Sequence, residues 1–309
     1  MLAQVVLKFL TLFITFMFTR RKILLSLLEA CGGELKSTDM EKLLFAYCKE
    51  SGENHYDFFP YKYGCFSFLS YQDKRVLTKQ GFLAEGEHFK LGKGFNHPSP
   101  LAPEQQKQIE SFAQEMKHLR GKHLVHHIYT KHPYYAIRSR IKEEILSAQE
   151  LRAVEASENK DQSICLMTVG YEGKTIDAYI DTLIRNNVAL VVDVRRNPLS
   201  MKYGFSKTRL RDYLDRAGIK YEHIPALGIE SAQRKNLETE KDYKKLFKKY
   251  AAESLPHRQD ELQRIEELIQ EHKRVALTCF EANPKSCHRH KIIEHLQTKK
   301  KWGTPIKHL

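Results

Sequence analysis

The sequence predicts an α/β protein: a mainly helical, winged-helix-like domain precedes a Rossmann-like, three-layer domain built on a parallel sheet. Two observations carry this prediction. In the second half, short runs rich in Val, Ile and Leu alternate with amphipathic helical segments, whereas the first part reads as three helices followed by a small hairpin. The 309 residues, 41% hydrophobic and 29% charged, are typical of a folded protein with room for two domains.

Residues 1–16 form an apolar extension with two interpretations. The stretch "MLAQVVLKFLTLFITFMF" is apolar for about one membrane thickness, yet it contains Gln4 and Lys8 and is followed by "TRRK". It has no A-x-A-like cleavage site, which argues against a removable signal peptide. We favour a translation start at Met17 over a signal anchor, and both interpretations place the remainder in the cytoplasm.

Residues 17–100 have the element order of a winged helix-turn-helix domain. "KILLSLLEACGG" is amphipathic and stops at two glycines, "STDMEKLLFAYCKESG" begins with a capping cluster, and "LSYQDKRVLTKQG" forms a third helix. Strand-like segments around "FLAEG" and "HFKLG" then supply the hairpin. The intervening aromatic cluster, which runs from Tyr56 to Phe68, is predicted to be mostly core.

The charge balance favours a polyanionic partner. The chain has 51 Lys and Arg against 38 Asp and Glu, a net charge of +13, which predicts binding to nucleic acid, DNA in the first place, with a nucleotide as a further ligand. A merely soluble basic protein is the alternative. The predicted phosphate contacts of the first domain are Lys62, Lys74, Arg75 and Lys79.

Residues 101–160 read as a helical connector. Its histidines, His123, His126, His127 and His132, do not have the spacing of a zinc site. The small and charged stretch "AVEASENKDQS" is typical of a linker, which places the second domain at residues 161–309. Six cysteines without a CxxC pair suit a reducing cytoplasm.

The second domain is predicted to contain four parallel strands. They are "ICLMTVGY", "VALVVDVR", "IKYEHIPAL" and "RVALTCF". The helices between them begin at a Thr cap before "IDAYIDTLIRNN" and at Ser206, and a longer helical stretch is broken at "SLPH" before the last strand. Ligands of such sheets bind beyond the carboxyl ends of the strands.

Polar clusters follow three of these strands, so the parallel sheet should bring them to one edge. The predicted catalytic residues are Glu172, Asp193, Glu281 and Cys287. The predicted ligand-binding residues are Gly170, Tyr171, Gly173, Arg195, Arg196, Asn283, His288 and Arg289. The glycines would permit a close approach of the backbone to a ligand, and Cys287 lies where a helix N-terminus lowers a thiol pKa. Ordinary polar loops are the structural alternative.

These segments resemble a known family. "TVGYEGKTIDAYIDTL", "VVDVRRNPLSMKYGFSKTRL", "GIKYEHIPALG" and "LTCFEANPKSCHR" are similar, in order and spacing, to the bacterial and archaeal family known as domain of unknown function 488 (DUF488). The resemblance covers about residues 164–309. It implies signature positions at Gly170, Tyr171, Glu172, Asp193, Arg195, Arg196, Pro198, Phe205, Gly228, Cys279, Glu281, Cys287, His288 and Arg289. It implies no reaction, and the first domain resembles winged helix-turn-helix modules only weakly.

The predicted function is hydrolysis of a glycosidic or phosphodiester bond in a nucleotide or nucleic acid. The arginines would bind phosphate while a carboxylate activates water. Paired carboxylates suit glycosidic cleavage without metal, whereas a nuclease would use the same carboxylates as ligands of a divalent metal, so the cofactor stays open and no metal ligand is assigned.

Three alternatives stay open. Cys287 could act as a nucleophile in a phosphatase-like or sulfurtransferase-like reaction, although the phosphatase pattern needs Arg where this chain has Ile293. The protein could instead be a DNA-bound regulator that senses an anionic ligand. A zinc site of Cys279, Cys287, His288 and His290 is the weakest alternative, because Cys279 falls in a strand and the spacing matches no standard finger.

Overall fold

The computed structural model describes residues 17–93, 95, 101–234, 237–299 and 302–309. The chain forms two compact units, of which the first ends at Glu158 and the second begins at Asn159. Residues 101–158, predicted as a connector, belong to the first unit. Within the described residues we find no helix with the length and apolar character that crossing a bilayer requires. The apolar extension 1–16 lies outside them.

The N-terminal unit is mostly helical. Its elements are α1 Thr19–Ala30, β1 Glu34–Leu35, α2 Ser37–Glu50, β2 Phe59–Tyr61, β3 Gly64–Phe66, α3 Phe68–Lys79, β4 Phe89–Lys90, α4 Pro103–Glu115, α5 Gly121–Lys131, α6 Lys142–Ile145 and α7 Ala148–Ser157. β1 pairs antiparallel with β4, and β2 pairs antiparallel with β3. The hairpin β2–β3 falls between the second and third helices, where the sequence predicts a turn-rich aromatic segment, so the winged-helix assignment stays a prediction.

The aromatic segment contributes to the core of this unit. Tyr56, Phe58, Phe59 and Phe68 are buried, which confirms the prediction of a core over a stacking surface for these four rings. The Tyr56 hydroxyl donates to Asp73, whose fully buried carboxylate also accepts from Arg20 and Arg21 at 2.6 Å each. This ion cluster ties α1 to α3.

The C-terminal unit contains a five-stranded sheet. Its elements are β5 Cys165–Gly170, α8 Ile176–Arg185, β6 Leu190–Asp193, α9 Lys207–Arg216, β7 Lys220–His223, α10 Glu240–Lys249, α11 Gln259–His272, β8 Arg274–Cys279, α12 His288–Gln297 and β9 Ile306–His308. The strand order is β7-β6-β8-β5-β9, and every pair is parallel. The four predicted strands are confirmed, and β9 is an edge strand that the sequence did not indicate.

Helices cover both faces of this sheet. On one face, Val275 and Leu277 of β8 join a core cluster with residues of α10, α11 and α12. On the opposite face, the Tyr179 hydroxyl of α8 donates to the Thr278 side chain at 2.9 Å. The unit is therefore three-layered, as predicted. Its strand order is not that of a Rossmann sheet, because β8 lies between β5 and β6, where a Rossmann sheet places the first strand beside the second.

Local signals explain several helix ends of this unit. The Thr175 side chain caps α8 by accepting from the Ala178 N–H at 3.1 Å. α9 ends before Gly218, which adopts a φ of +67°. Ser206 occupies the N-cap of α9 as predicted, but its side chain makes no capping hydrogen bond. The predicted break at "SLPH" is present as a π turn at Tyr250–Ser254 and a 3-10 turn at Leu255–His257.

Candidate functional site at the carboxyl edge of the sheet

The sheet brings the three predicted polar loops together. Gly170, at the end of β5, is the register partner of Cys279, at the end of β8. Asp193, at the end of β6, is the partner of Thr278. Because β8 is central, its loop lies between the loops that follow β5 and β6. The predicted convergence at one edge of the sheet is confirmed, although the residues that meet there have different roles from those expected.

Asp193 is the centre of a closed polar network. Its carboxylate is fully buried and accepts four hydrogen bonds, from the Arg195 backbone N–H, Nε and Nη2 and from the Tyr221 hydroxyl, at 2.6–3.1 Å. Every lone pair that a water molecule would need is thereby occupied. The structure corrects the prediction of Asp193 as a catalytic base: it is a positioning residue for the loop after β6.

Arg195 is likewise committed within the protein. Its Nη1 donates to the Tyr171 hydroxyl and to the Phe205 carbonyl, each at 2.9 Å. Burial opposes its charge, but the bonds to Asp193 outweigh burial and raise the pKa of Arg195. The Tyr171 ring stacks on Phe205 with centroids 4.2 Å apart. Arg195 and Tyr171 thus form part of the wall of the site, and their assignment as ligand-binding residues stays a prediction.

The loop after β5 packs directly against the loop after β8. A Cβ on Gly170 would lie 1.9 Å from the Glu281 carbonyl oxygen, so only glycine fits there. The Glu172 carboxylate accepts from the Ala282 N–H at 2.9 Å. Gly170 therefore allows contact between two loops and not the predicted contact with a ligand, and Glu172 fastens the same two loops. Gly173 has open space around it and a φ of +73°, a turn conformation that favours glycine.

Arg289 and Asn283 hold the loop after β8 in shape. The buried Arg289 side chain donates from Nη1 to the Glu281 carbonyl at 2.6 Å and from Nη2 to the Ala282 carbonyl at 3.0 Å. The exposed Asn283 accepts from the Lys285 N–H at 3.0 Å and caps a short 3-10 turn. Both are predicted to bind ligand, and in the structure both make hydrogen bonds to the backbone of this loop.

Two thiols, an imidazole and a carboxylate meet beside this loop. His288 Nδ1 lies 3.6 Å from Cys279 Sγ and 3.8 Å from Cys287 Sγ. The three ligand atoms lie within 4.8 Å of one another, and all three residues are buried. Glu281 Oε2 lies 3.2 Å from Cys279 Sγ. On its other side, His288 Nε2 donates to the Val194 carbonyl at 2.9 Å.

The two thiols differ in proton affinity. A hydrogen bond from Cys287, together with the nearby His288, lowers the pKa of Cys279. Burial and the neighbouring Cys279 raise the pKa of Cys287. Burial and Cys279 likewise raise the pKa of Glu281. Cys279 is therefore the more acidic of the two buried thiols, and the assignment of Cys287 as a nucleophile stays a prediction.

An open cleft of about 380 Å³ lies at this edge of the sheet. The exposed Arg196 lines it and pairs with Glu230 at 3.2 Å. Its wall also includes Cys279, Glu281 and the exposed side chains of Leu199, Met201 and Phe280. The cleft therefore combines one carboxylate, one surface arginine and an apolar rim.

A second, larger cleft of this unit is lined by four lysines. It has a volume of about 650 Å³ and lies between α10, the π turn and the start of α12. Its lining residues are Lys244, Phe247, Lys248, Ala251, Ala252, Lys285, His290 and Lys291. We call it the lysine cleft. Residues 159–309 hold 29 Lys and Arg against 20 Asp and Glu, so most of the basic excess of the chain is in this unit.

The predicted phosphate contacts of the N-terminal unit differ in exposure and in hydrogen bonding. Lys74 is buried, donates to the carbonyls of Gly86 and Glu87 at 3.0 and 2.5 Å, and has a pKa lowered by burial, which corrects its assignment as a phosphate contact. Lys62 lies over the Tyr61 ring at 5.4 Å, and Arg75 donates to Gln72 at 2.7 Å. Lys79 is exposed at the end of α3.

Sequence reasoning undervalued two features of the site. Cys279 was discounted because it belongs to a strand, yet it is the last residue of β8, where the strand opens into the cleft. Its position at a strand end was the signal that could have identified it. The lysine cleft was missed because its lysines come from α10 and from the loop and helix after β8, more than thirty residues away.

Comparison with known proteins supports part of the resemblance seen in the sequence. The family model described as "Domain of unknown function DUF488" matches residues 175–296. No curated protein and no solved structure matches the chain. The matched segment runs from the cap of α8 into α12, so it contains the loops after β6 and β8 but not the loop after β5. The C-terminal unit therefore carries a segment that matches the DUF488 family.

Proposed function

We propose that the C-terminal unit is a hydrolase that cleaves a phosphodiester bond in nucleic acid at the cleft beside β8. One observation carries this proposal. Of the three carboxylates predicted to be catalytic, Glu281 is the one that lines the cleft, while Asp193 is saturated and Glu172 holds a backbone N–H. Glu281 is therefore the candidate to activate a water molecule.

The environment of the cleft suits a phosphate-bearing substrate. Arg196 is exposed in the cleft, where its guanidinium can contact a phosphate oxygen. The exposed Leu199, Met201 and Phe280 offer an apolar surface on which a base can lie. A volume of about 380 Å³ is in the range of small-molecule sites and can receive one nucleotide of a strand.

The choice of bond follows from the number of available carboxylates. Metal-free glycosidic cleavage uses two carboxyl groups on opposite sides of the scissile bond. The four hydrogen bonds to Asp193 remove it from that role. A single carboxylate beside an arginine favours attack of water on a phosphoryl centre, whose developing negative charge the arginine would stabilise.

The lysine cleft is the part of this unit best suited to the phosphate backbone of the substrate. Lys244, Lys248, Lys285 and Lys291 line one depression, and each phosphate contact would release condensed counterions. The exposed Lys79 and Arg75 on α3 are the corresponding candidates in the winged-helix-like unit, which would serve as a DNA-docking module.

The test is incubation of the purified full chain with plain single-stranded and duplex DNA, with strand breaks and released bases resolved separately. We expect strand breaks, reduced by about 10²–10⁴-fold in Glu281→Gln. Glu155→Gln, an exposed substitution on α7, is the matched control and should cleave like the wild type. Release of free bases would overturn the choice of bond. Bound but intact DNA would overturn hydrolysis and favour the regulator.

A further inference from the structure

We infer that Cys279, Cys287 and His288 bind one Zn²⁺ ion at the end of β8, with the fourth coordination position directed toward Glu281 and the cleft. The distances among the three ligand atoms support the site itself. The catalytic role of the ion rests on the proposed hydrolytic function.

The distances between the side chains match the edges of a zinc tetrahedron. Zn–S bonds of about 2.3 Å and Zn–N bonds of about 2.0 Å place a sulfur and a nitrogen ligand about 3.6 Å apart in tetrahedral geometry. His288 Nδ1 lies 3.6 Å from Cys279 Sγ and 3.8 Å from Cys287 Sγ. An ion can therefore enter between the three atoms with little movement of the chain.

The surroundings of His288 prepare it as a ligand. Its Nε2 donates to the Val194 carbonyl, an acceptor only, so Nε2 carries the proton and the lone pair of Nδ1 points toward the sulfurs. This carbonyl partner fixes the ring in the way that outer hydrogen bonds fix zinc-binding histidines. The Tyr250 ring packs edge-on against the imidazole with centroids 5.8 Å apart, which shields that side from water.

The ligand set selects zinc among the common ions. Two cysteine sulfurs and one imidazole suit Zn²⁺, whereas Mg²⁺ and Ca²⁺ prefer carboxylate and carbonyl oxygens. On binding, each thiol releases its proton to solvent, so that two thiolates balance the two charges of the ion. A neutral unit of this kind is suited to a buried position.

The fourth position belongs on the Glu281 side. Glu281 Oε2 lies 3.2 Å from Cys279 Sγ and lines the cleft. His290, the fourth ligand considered from the sequence, instead directs Nε2 to Glu294 at 3.1 Å. Three protein ligands with an accessible fourth position are the arrangement of catalytic zinc sites, in which the ion lowers the pKa of a bound water molecule.

The experiment measures metal in the full chain, purified without chelator, by inductively coupled plasma mass spectrometry. We expect about one zinc per chain in the wild type. Cys287→Ser and His288→Ala should lose most of the zinc, whereas Cys165→Ser, a buried cysteine at the other end of β5, should retain it. Equal zinc content in all four proteins would overturn the inference.

A cobalt titration of the wild type tests metal binding at the site even if a variant fails to fold. Zinc-stripped wild type should bind one Co²⁺ with the visible bands of a tetrahedral ion and a near-ultraviolet thiolate band, and Glu281→Gln should retain the thiolate band. No such bands, or a chain that is lighter by two hydrogen atoms because Cys279 and Cys287 have been oxidised to a disulfide, would overturn the site. Zinc without DNA cleavage would refute only the hydrolytic function, and cleavage by metal-free protein would refute only the catalytic role of the ion.

Discussion

Strands β6 and β8 are neighbours in one sheet. Both are buried and both are followed by charged residues, but the polar groups at their carboxyl ends are arranged differently. At the end of β6, Asp193 and Arg195 satisfy each other and the surrounding backbone and hydroxyl groups. At the end of β8, Cys279, Cys287 and His288 face one another and adjoin the carboxylate of Glu281. The first cluster is closed, whereas the second presents several ligand atoms to one point.

This difference shows that a polar residue at a strand end has two possible fates. Groups whose lone pairs and protons are fully used within a buried network hold the loops in position, whereas groups beside a cleft can reach a ligand. Access to the cleft separates the two cases, while residue type does not, since Asp193 is fully buried and Glu281 lines the cleft although both are carboxylates.

The largest effect should follow removal of the cation from the closed cluster. Arg195→Met would leave the Asp193 carboxylate buried without its main partner, which should lower the free energy of unfolding by about 3–5 kcal/mol. Urea unfolding followed by circular dichroism measures this. Arg216→Met, at an exposed ion pair on α9, is the control and should lose less than about 1 kcal/mol. An unchanged stability of Arg195→Met would contradict the closed network.

A smaller loss of stability should follow when an added methyl group separates the loops after β5 and β8. Gly170→Ala would place a methyl group against the Glu281 carbonyl, so we expect a loss of about 1–3 kcal/mol and displacement of the Glu281 loop. Gly303→Ala, where an added Cβ meets no atom within 4 Å, should be neutral. Thermal unfolding of the two variants makes the comparison, and equal melting temperatures would refute the tight contact.

The Tyr221 hydroxyl should contribute less to stability than the Arg195 side chain, because Asp193 keeps its three hydrogen bonds to Arg195 when this hydroxyl is removed. Tyr221→Phe removes one hydrogen bond of 2.7 Å to a carboxylate. We expect the free energy of unfolding to fall by about 1.5–3 kcal/mol, the range for a hydrogen bond to a charged group. The value should lie toward the lower end of this range, because Tyr221 is only part-buried. Urea unfolding gives the value. A loss as large as that of Arg195→Met would mean that the arginine is not the main partner of Asp193.

The smallest effect on the fold, and a specific one on binding, should come from the lysine cleft. Lys248→Ala with Lys285→Ala should leave stability within about 0.5 kcal/mol. If both lysines contact phosphate, the slope of log K against log salt should fall by about 0.9 for each. Fluorescence anisotropy with labelled DNA measures the slope, and Lys62→Ala with Lys79→Ala is the parallel pair in the N-terminal unit. An unchanged slope would exclude the lysine cleft as the backbone contact.

Much of the C-terminal fold could be predicted from the sequence, because its signals are local. The apolar runs of β5, β6 and β8 and the Thr175 cap specify their elements without help from distant residues. β9 could not be predicted in this way. It is a three-residue, largely exposed edge strand, and only its pairing with Leu166 to Thr168 makes it a strand.

The membership of the site was predictable, but the roles of its residues were not. Parallel strands bring their carboxyl ends to one edge, so the polar loops after β5, β6 and β8 could be expected to meet. The partners that decide each role are mostly backbone carbonyls from other loops, such as those of Phe205, Glu281 and Val194. No pattern of side chains reveals such carbonyls, which is why Arg195, Arg289 and His288 all read as ligand contacts.

The most direct test of the distinction between the two clusters is the free energy of unfolding of Asp193→Ala and Glu281→Ala, measured side by side in urea. Our account predicts a loss of about 3–5 kcal/mol for Asp193→Ala, because Arg195 would remain buried and unpaired. We expect a change of less than about 1 kcal/mol for Glu281→Ala, because Glu281 is only part-buried and lines the cleft. Equal losses, or a larger loss at Glu281, would contradict it.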